Sequence, residues 1–310
     1  MASVVITLFE AEQYEAGAAA LLNSLFWSGY RGHVWCGVRG TVPPWLTPSE
    51  VERSVGTAVK VFVVNVAIDG HLPMYKAHLM SDVARQEPTA TSFIYFDADV
   101  VVKCRWAFVE RWCARGVAAV ADESWYMPAT SPVRGEWAEL RERLGVVSVP
   151  SEPAGPLDLY CNAGFVGVSR DCMPFVDLWR RLVDAAQATG TEEVAALLDG
   201  PRSQPWFLDQ ELFNIALMGW GQRAQLMGPE AMDFASGGDV FSHATGTPKP
   251  WQRHFIRSAL VGRPPSKRDR EHWRYRGGPF RPSSRTSLRW KVVTYKAGRA
   301  MGAMARRRDF

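Results

Sequence analysis

Read from its N-terminus, the chain alternates short apolar runs with longer stretches in which apolar residues recur every three or four positions. "SVVITLF" (3–9) has the length and composition of a buried strand, and Ala and Leu dominate a helical stretch from about Tyr14 to Phe26. "HVWCGV" (33–38) and "VKVFVVNV" (59–66) read as a second and third strand, separated by the Pro-rich "TVPPWLTPSE". Residues 75–86 have helical character, and "SFIYF" (92–96) is a strand apolar on both faces. "CRWAFVERWCARG" (104–116) suits a short helix ended by Gly116, and "VAAVAD" (117–122) a further strand. Strands alternating with helices predict an α/β chain with a mostly parallel, doubly wound sheet. Ligands of such sheets bind at the carboxyl ends of the strands. Beyond these elements, residues 148–158 and 199–206 are Pro/Gly/Ser loops. Gly262 to Ser284 is rich in Pro, Gly and Arg, which predicts an extended segment wrapping the core or partly disordered.

The 310 residues fit one large α/β domain or two small ones. Apolar runs such as Val59–Ala67, with its one Lys, are strand-length and fall short of the ~20 residues of a membrane span. No charged segment followed by an apolar core and cleavage site opens the chain. Cysteines 36, 104, 113, 161 and 172 form no Cys-x-x-Cys pair and leave one over. Reduced thiols are therefore expected, in a cytoplasmic chain or one held peripherally on the inner face of a membrane. The net charge of +4 is unevenly spread. From Gln252 to Phe310 there are seventeen Lys and Arg against three acidic residues, so a basic tail of +14 follows a body of −10. The expected division is a catalytic domain over 1–260 and a basic extension over 261–310.

Candidate chemistry begins where the strand 92–96 runs into Asp97-Ala98-Asp99. In extended chain alternate side chains share a side, so the two carboxylates can converge on one object. Two uncompensated anions at a strand end repel unless a cation lies between them, and a hard ion such as Mn2+ or Mg2+ takes carboxylate oxygens beside substrate phosphates. A helix N-cap or solvated turn before "CRWAFVE" is the plain alternative. In "FSHATGTPKPW" (241–251) a neutral His243 can complete such a metal sphere. There Gly246 permits close approach of a backbone N–H to a phosphate, and Lys249 supplies a point charge for it. A packed His and a simple turn are the alternatives. "YCNAGFVGV" (160–168) and "FLDQELFN" (207–214) set amides and a carboxylate beside apolar elements, which suits hydroxyl-rich ligands; Asp209 is equally a fair N-cap.

In this order, D-x-D (97–99), N-A-G (162–164), D-Q-x-x-x-N (209–214) and H-x-x-G-x-x-K-P-W (243–251) resemble family 8 of the retaining glycosyltransferases. The last motif is the specific one, and the resemblance runs from Ser3 to about Trp251. "TLFEAEQYEAGAAALLNSL" (7–25) resembles the family's opening strand and helix, and "YKAHL" (75–79) the segment whose basic residue faces the donor. The resemblance implies a GT-A fold with a doubly wound mixed sheet, and transfer of glucose or galactose from a UDP-sugar with retention. It implies Asp97, Asp99 and His243 as ligands of Mn2+ or Mg2+, with Asp97 also on the ribose. Leu8 and Tyr14 would hold the nucleotide, Tyr14 stacking on uracil, while Lys76 faces the donor and Lys249 and the Gly246 amide meet the diphosphate. Asp122, Asn162, Asp209 and Gln210 would hold the donor sugar. Asp209 is the rival nucleophile to a front-face mechanism in which the leaving phosphate helps deprotonate the acceptor. Implied partners are a saccharide or lipid-linked acceptor and an anionic membrane surface, with no nucleic acid.

Two other functions are weighed. A nucleotidyltransferase needs a Gly-rich loop after the first strand to cradle a triphosphate, and "LFEAEQYEAG" has none. A nucleic-acid binder would use the Arg-rich tail with Trp273, Tyr275, Phe280, Trp290 and Tyr295 interleaved for base stacking. In that tail Trp290, Val293, Ala297, Met301 and Met304 keep helical spacing, which Leu288, Val292 and Tyr295 interrupt.

Overall fold

A computed structural model describes residues 3–128, 130–146, 157–198, 200–220, 224–282 and 285–306. The first half is a run of parallel units: β1 (Ser3–Glu10), α1 (Ala11–Ser28), β2 (Gly32–Arg39), α2 (Pro48–Val55), β3 (Val59–Asn65), α3 (Lys76–Gln86) and β4 (Ser92–Asp97). The Pro-rich stretch is thus partly helical, because Pro48 occupies the first turn of α2, where a missing N–H costs nothing. The chain continues through β5 (Val100–Val102), α4 (Trp106–Cys113), β6 (Val117–Tyr126), α5 (Pro132–Arg143), β7 (Leu159–Ser169), α6 (Met173–Thr189), α7 (Thr191–Ala195), α8 (Leu208–Trp220), β8 (Ala224–Met227) and β9 (Phe241–His243). Of the loop expected over 148–158, residues 148–156 lie outside the described residues, as does residue 199 of that over 199–206. The rest of the second loop is two 3₁₀ turns, Gly200–Ser203 and Pro205–Phe207.

The main sheet has the order β3-β2-β1-β4-β7-β6-β8. It is mixed: β1, β2, β3 and β4 are mutually parallel, while β7 runs antiparallel to both β4 and β6. β4 lies at the centre, so its continuous apolar run is used on both faces. Phe93 and Tyr95 enter one core with Ile6 and Met80; Ile94 and Phe96 enter the other with Leu22 and Val109.

The C-terminal segment differs from the expectation. After α9 (Phe255–Leu260), residues 267–275 form α10 (Lys267–Tyr275), opened by a capping box in which Ser266 and Asp269 satisfy each other's backbone N–H groups. Trp273 and Tyr275 are buried, and Phe280 docks in the core, where Asn23 both donates to its carbonyl and accepts from its N–H. The segment is ordered because its few large apolar residues all find the body, which its average composition hides. Residues 283 and 284 lie outside the described residues. α11 (Arg285–Arg306) then packs on α9 through Val292, Tyr295 and Gly298, the residues that interrupt the apolar spacing being its inward face. A Cβ on Gly298 would lie 2.7 Å from the Phe255 carbonyl oxygen. Trp290, Val293 and Met304 face solvent; the side chain of Leu288 lies outside the described residues. Four of the five tail aromatics, Trp273, Tyr275, Phe280 and Tyr295, are therefore buried and offer no rings for nucleic-acid bases to stack on. No described helix is long and apolar enough to cross a membrane.

Candidate active site

β4 ends by presenting Asp97 on the same side as Tyr95, whose hydroxyl donates to Asp97 Oδ1 at 2.8 Å. At the first turn of α3 the buried Lys76 lies 3.1 Å from Asp97 Oδ1 and 3.0 Å from Asp209 Oδ2, and donates to the Ala163 carbonyl at 3.2 Å. Burial opposes a charged amine here, but the two carboxylates prevail and hold the ammonium above its usual range.

The chain then turns through Ala98 and Asp99 into β5, which pairs antiparallel with β9 in a separate two-stranded sheet. Its register sets Val100 opposite His243. That brings His243 Nε2 within 3.1 Å of Asp99 Oδ1 and 3.9 Å of Asp97 Oδ2. One donor atom from each residue falls inside a cluster with no separation above 4.8 Å. Gly164 makes the room: a Cβ there would sit 2.9 Å from His243 Nδ1 and nearer still to Cε1.

Lys249 Nζ lies 2.5 Å from Asp99 Oδ2 and donates to the Ala244 carbonyl at 2.9 Å. Burial pushes the Asp99 carboxyl up, yet His243 and Lys249 outweigh it and hold it well below the usual carboxylate range. The two carboxylates are thus not uncompensated. Each has its own lysine, Lys76 for Asp97 and Lys249 for Asp99.

Beside this cluster lies a cavity of about 510 Å3 at the carboxyl ends of β1 and β4. Among the sequence candidates it is lined by Leu8, Tyr14, Asp97, Asp99, His243, Gly246 and Lys249. Gly246 sits in a turn at φ +78°, a conformation that suits glycine. Tyr14 packs edge-on against Trp251, with Lys249 Nζ 5.6 Å from its ring centre, and burial raises its phenol, which stays neutral.

The remaining candidates form a second polar cluster behind that wall. Asn162 Nδ2 and Gln210 Nε2 donate to Asp122 Oδ2 at 3.0 and 2.9 Å, and the Ala163 N–H donates to Gln210 Oε1 at 3.1 Å. Lys76 joins the two clusters through Asp97 and Asp209, and none of these five residues, Lys76 included, lines the cavity.

Two cavity residues escaped the sequence reading. His71 Nε2 is 3.9 Å from Asp209 Oδ1, and burial lowers its pKa against the pull of that carboxylate. Trp206 is 59% exposed at the cavity wall. Neither belongs to a spaced pattern; the usable signal was a large aromatic held out by a Pro-initiated turn two residues before Leu208. α1 follows β1 with no intervening loop, so the chain has no glycine-rich cradle for a triphosphate at that point.

No family model matches this sequence, and no curated protein does. Solved structures do. The glycosyltransferase GlyE of Streptococcus pneumoniae TIGR4 superposes with a TM-score of 0.54 at 10% identity over 96% of this chain and 64% of that one. The bifunctional glycosyltransferase WbbM, in its apo form, gives 0.48 at 15% identity over 95% and 51%. The galactosyltransferase LgtC, in complex with donor and acceptor sugar analogues, gives 0.44 at 14% identity over 81% and 90%. The chain spans about 64% of the length of GlyE. At 10% identity the likeness to GlyE is one of fold, a mixed α/β architecture shared with that glycosyltransferase.

Proposed function

We propose that this chain is a metal-dependent retaining glycosyltransferase of the family 8 kind, moving glucose or galactose from a UDP-sugar to a saccharide or lipid-linked acceptor. The observation that carries the reading is the meeting of Asp97, Asp99 and His243, from β4, its following turn and a second sheet, beside a cavity that Tyr14 and Lys249 also line.

Two carboxylates and an imidazole are a donor set that suits Mn2+ or Mg2+, and the spacing of their ligand atoms fits a single ion. When bound, the ion would supply Lewis-acid stabilisation of the departing diphosphate. The chain's own residues do the rest. Leu8 and Tyr14 bound the nucleotide, and Asp97 reaches the ribose. Lys249, already charged against Asp99 and tied to the Ala244 carbonyl, offers its one remaining donor to a phosphate oxygen, with the Gly246 amide at the adjoining turn.

Asp122, Asn162, Asp209 and Gln210 are assigned to the donor sugar. Both ends of the Gln210 amide are engaged, by Asp122 and the Ala163 N–H, and the Lys76 ammonium stabilises Asp209 as a carboxylate. Each tie lowers nucleophilic reactivity, which supports a front-face mechanism over double displacement. In this reading residues 1–260 carry the transfer and residues 261–310 attach it to an anionic membrane. What supports attachment is the solvent-facing Trp290, Val293 and Met304 on a helix that also exposes Arg289, Lys296 and Arg299.

The test is a panel of UDP-sugars with and without Mn2+, reading UDP release and the anomer formed by NMR. Metal-dependent release from one donor, with the configuration retained and the activity absent in Asp99→Asn, is expected. Metal-independent turnover, or none with any UDP-sugar, overturns the reading.

A further inference from the structure

Away from the cavity, the last two helices enclose a second pocket of about 300 Å3. Arg270 and Arg274 line it from α10, and Lys296 and Arg299, one helical turn apart, from α11. A single carboxylate, Glu271, answers these four cations: Arg270 Nε lies 3.0 Å from one oxygen and Arg274 3.7 Å from the other, which is buried and makes no hydrogen bond among the described residues. Lys296 and Arg299 have no acidic partner among the described residues. Between them the rings of Trp273 and Tyr295 stack at 6.4 Å, both more than nine-tenths buried. The indole N–H and the phenolic hydroxyl find no hydrogen-bond partner among the described residues. Apart from Glu271, the polar side chains lining the pocket all carry donors, and among the described residues Lys296 and Arg299 lack an acidic partner and Trp273 and Tyr295 a hydrogen-bond partner. A buried donor left unpaired is destabilising, and clustered like charges add to that.

We propose that this pocket binds a phosphate monoester or diester. Phosphate oxygens are acceptors only, and guanidinium forks match them in pairs. The aromatic pair suits the carbon-bearing side of an ester better than a bare inorganic ion. A metal cation is excluded by the charge. Such an ester comes either from a soluble metabolite or from an anionic lipid headgroup, and the exposed Trp290 and Val293 on the same helix make the lipid a source to be tested. The site is independent of the transfer reaction.

The experiment uses the full chain and two double variants. Lys296→Gln/Arg299→Gln removes the unpartnered pocket cations. Arg181→Gln/Arg257→Gln removes equal charge from exposed positions outside the pocket and outside the last helix. Binding of glycerol 1-phosphate and of short-chain phosphatidylglycerol below its micelle concentration is measured by calorimetry. Co-sedimentation is measured with phosphatidylcholine vesicles with and without phosphatidylglycerol, and melting temperatures confirm that both variants fold. At least one phosphate ester should bind the wild type, about tenfold or more weaker in the pocket variant and within about twofold in the other. Loss for glycerol phosphate assigns a soluble ester; loss confined to phosphatidylglycerol, short-chain or in vesicles, assigns the lipid. Equal loss in both variants means diffuse attraction and overturns the pocket, as does the absence of binding to every probe.

Discussion

Asp99 and Glu211 are both buried carboxylates, and their acidities are shifted in opposite directions. Asp99 meets two basic partners, His243 and Lys249, and its carboxyl is held down although burial alone would raise it. Glu211, fully buried in α8, is also met on both oxygens, but by neutral donors. Tyr160 donates at 2.6 Å and Trp137 at 2.7 Å, while the nearest guanidinium, Arg202, stays 3.8 Å away and pairs more closely with Glu136. Burial raises the Glu211 carboxyl, and these partners only partly offset it. Both are buried, and the charge of the partner decides. Asp99 is kept anionic, as a cation site requires; Glu211 is a strut between α8, α5 and β7.

The largest effect is expected at Asp99. Asp99→Asn should lower UDP-sugar turnover by about 10³-fold, the loss of several kcal/mol of transition-state stabilisation. Asp99→Ala should also destabilise the chain by about 3 kcal/mol, because it strands the Lys249 amine in a nearly buried site. Relief of repulsion between two bare anions would predict little change, but the anions are not bare. Adding Lys249→Met to Asp99→Ala should restore much of the stability and none of the activity, as read from urea melts and kcat/KM. If the double variant is no more stable than the single one, Lys249 is not a structural partner of Asp99.

Glu211 should behave in the opposite way. Glu211→Ala leaves two buried donors unpaired and a void, for about 3 kcal/mol, whereas Glu211→Gln keeps a hydrogen-bonding group and should cost under about 1 kcal/mol. The pH signs also differ. The folded Glu211 pKa is raised above 4.5, so its contribution is present below that value and declines as pH rises through the folded pKa. The wild-type advantage over the Gln variant should therefore shrink with rising pH. In metal-free protein the Asp99 contribution is present above 3.8 and is lost as pH falls through its depressed folded pKa. Melting curves of both variants from acid to neutral pH test both slopes; parallel slopes would remove the distinction.

A smaller effect tests the imidazole's position. Gly164→Ala should push His243 aside, costing about 1–3 kcal/mol by overpacking. It should also weaken Mn2+ binding by about 10–100-fold, as displaced ligands do. Unaltered Mn2+ affinity by calorimetry in a folded variant would remove His243 from the ligand set.

The two carboxylates differ in legibility as well. The sequence points to Asp99, because a doubly apolar strand runs into D-x-D and the motif at 243–251, in its family order, decides between a metal site and a plain cap or turn. β1 to β4, α1 and α3 were legible for the same reason, since period and length agree, whereas α2 lies partly in a stretch that reads only as Pro-rich. Nothing announces Glu211, whose partners Tyr160, Trp137 and Arg202 lie at separations no local pattern encodes. α10 was missed because burial of Trp273 and Tyr275 depends on a body elsewhere in the chain, while local composition looks unfolded. The lysine on each active-site carboxylate was half visible: Lys249 sits in a motif, but its 2.5 Å contact with Asp99 is tertiary.

The smallest effect asks whether the strut touches the chemistry at all. Tyr160 donates to Glu211, and its phenol is also hydrogen-bonded with Gln210, whose amide reaches Asp122. Tyr160→Phe removes one hydroxyl and keeps the ring that stacks on Trp137 at 6.0 Å. The cost should be about 1 kcal/mol, the net value of one hydrogen bond. With a neutral donor gone, the Glu211 carboxyl should rise further, steepening the decline of stability with rising pH. Because Gln210 stays tied by Asp122 and the Ala163 N–H, KM for the donor should move less than about threefold and kcat no more than that. A loss of kcat by tenfold or more with stability unchanged would mean that Tyr160 serves Gln210 first. The Glu211 cluster would then belong to the site, and its contrast with Asp99 would be one between two parts of the same machinery.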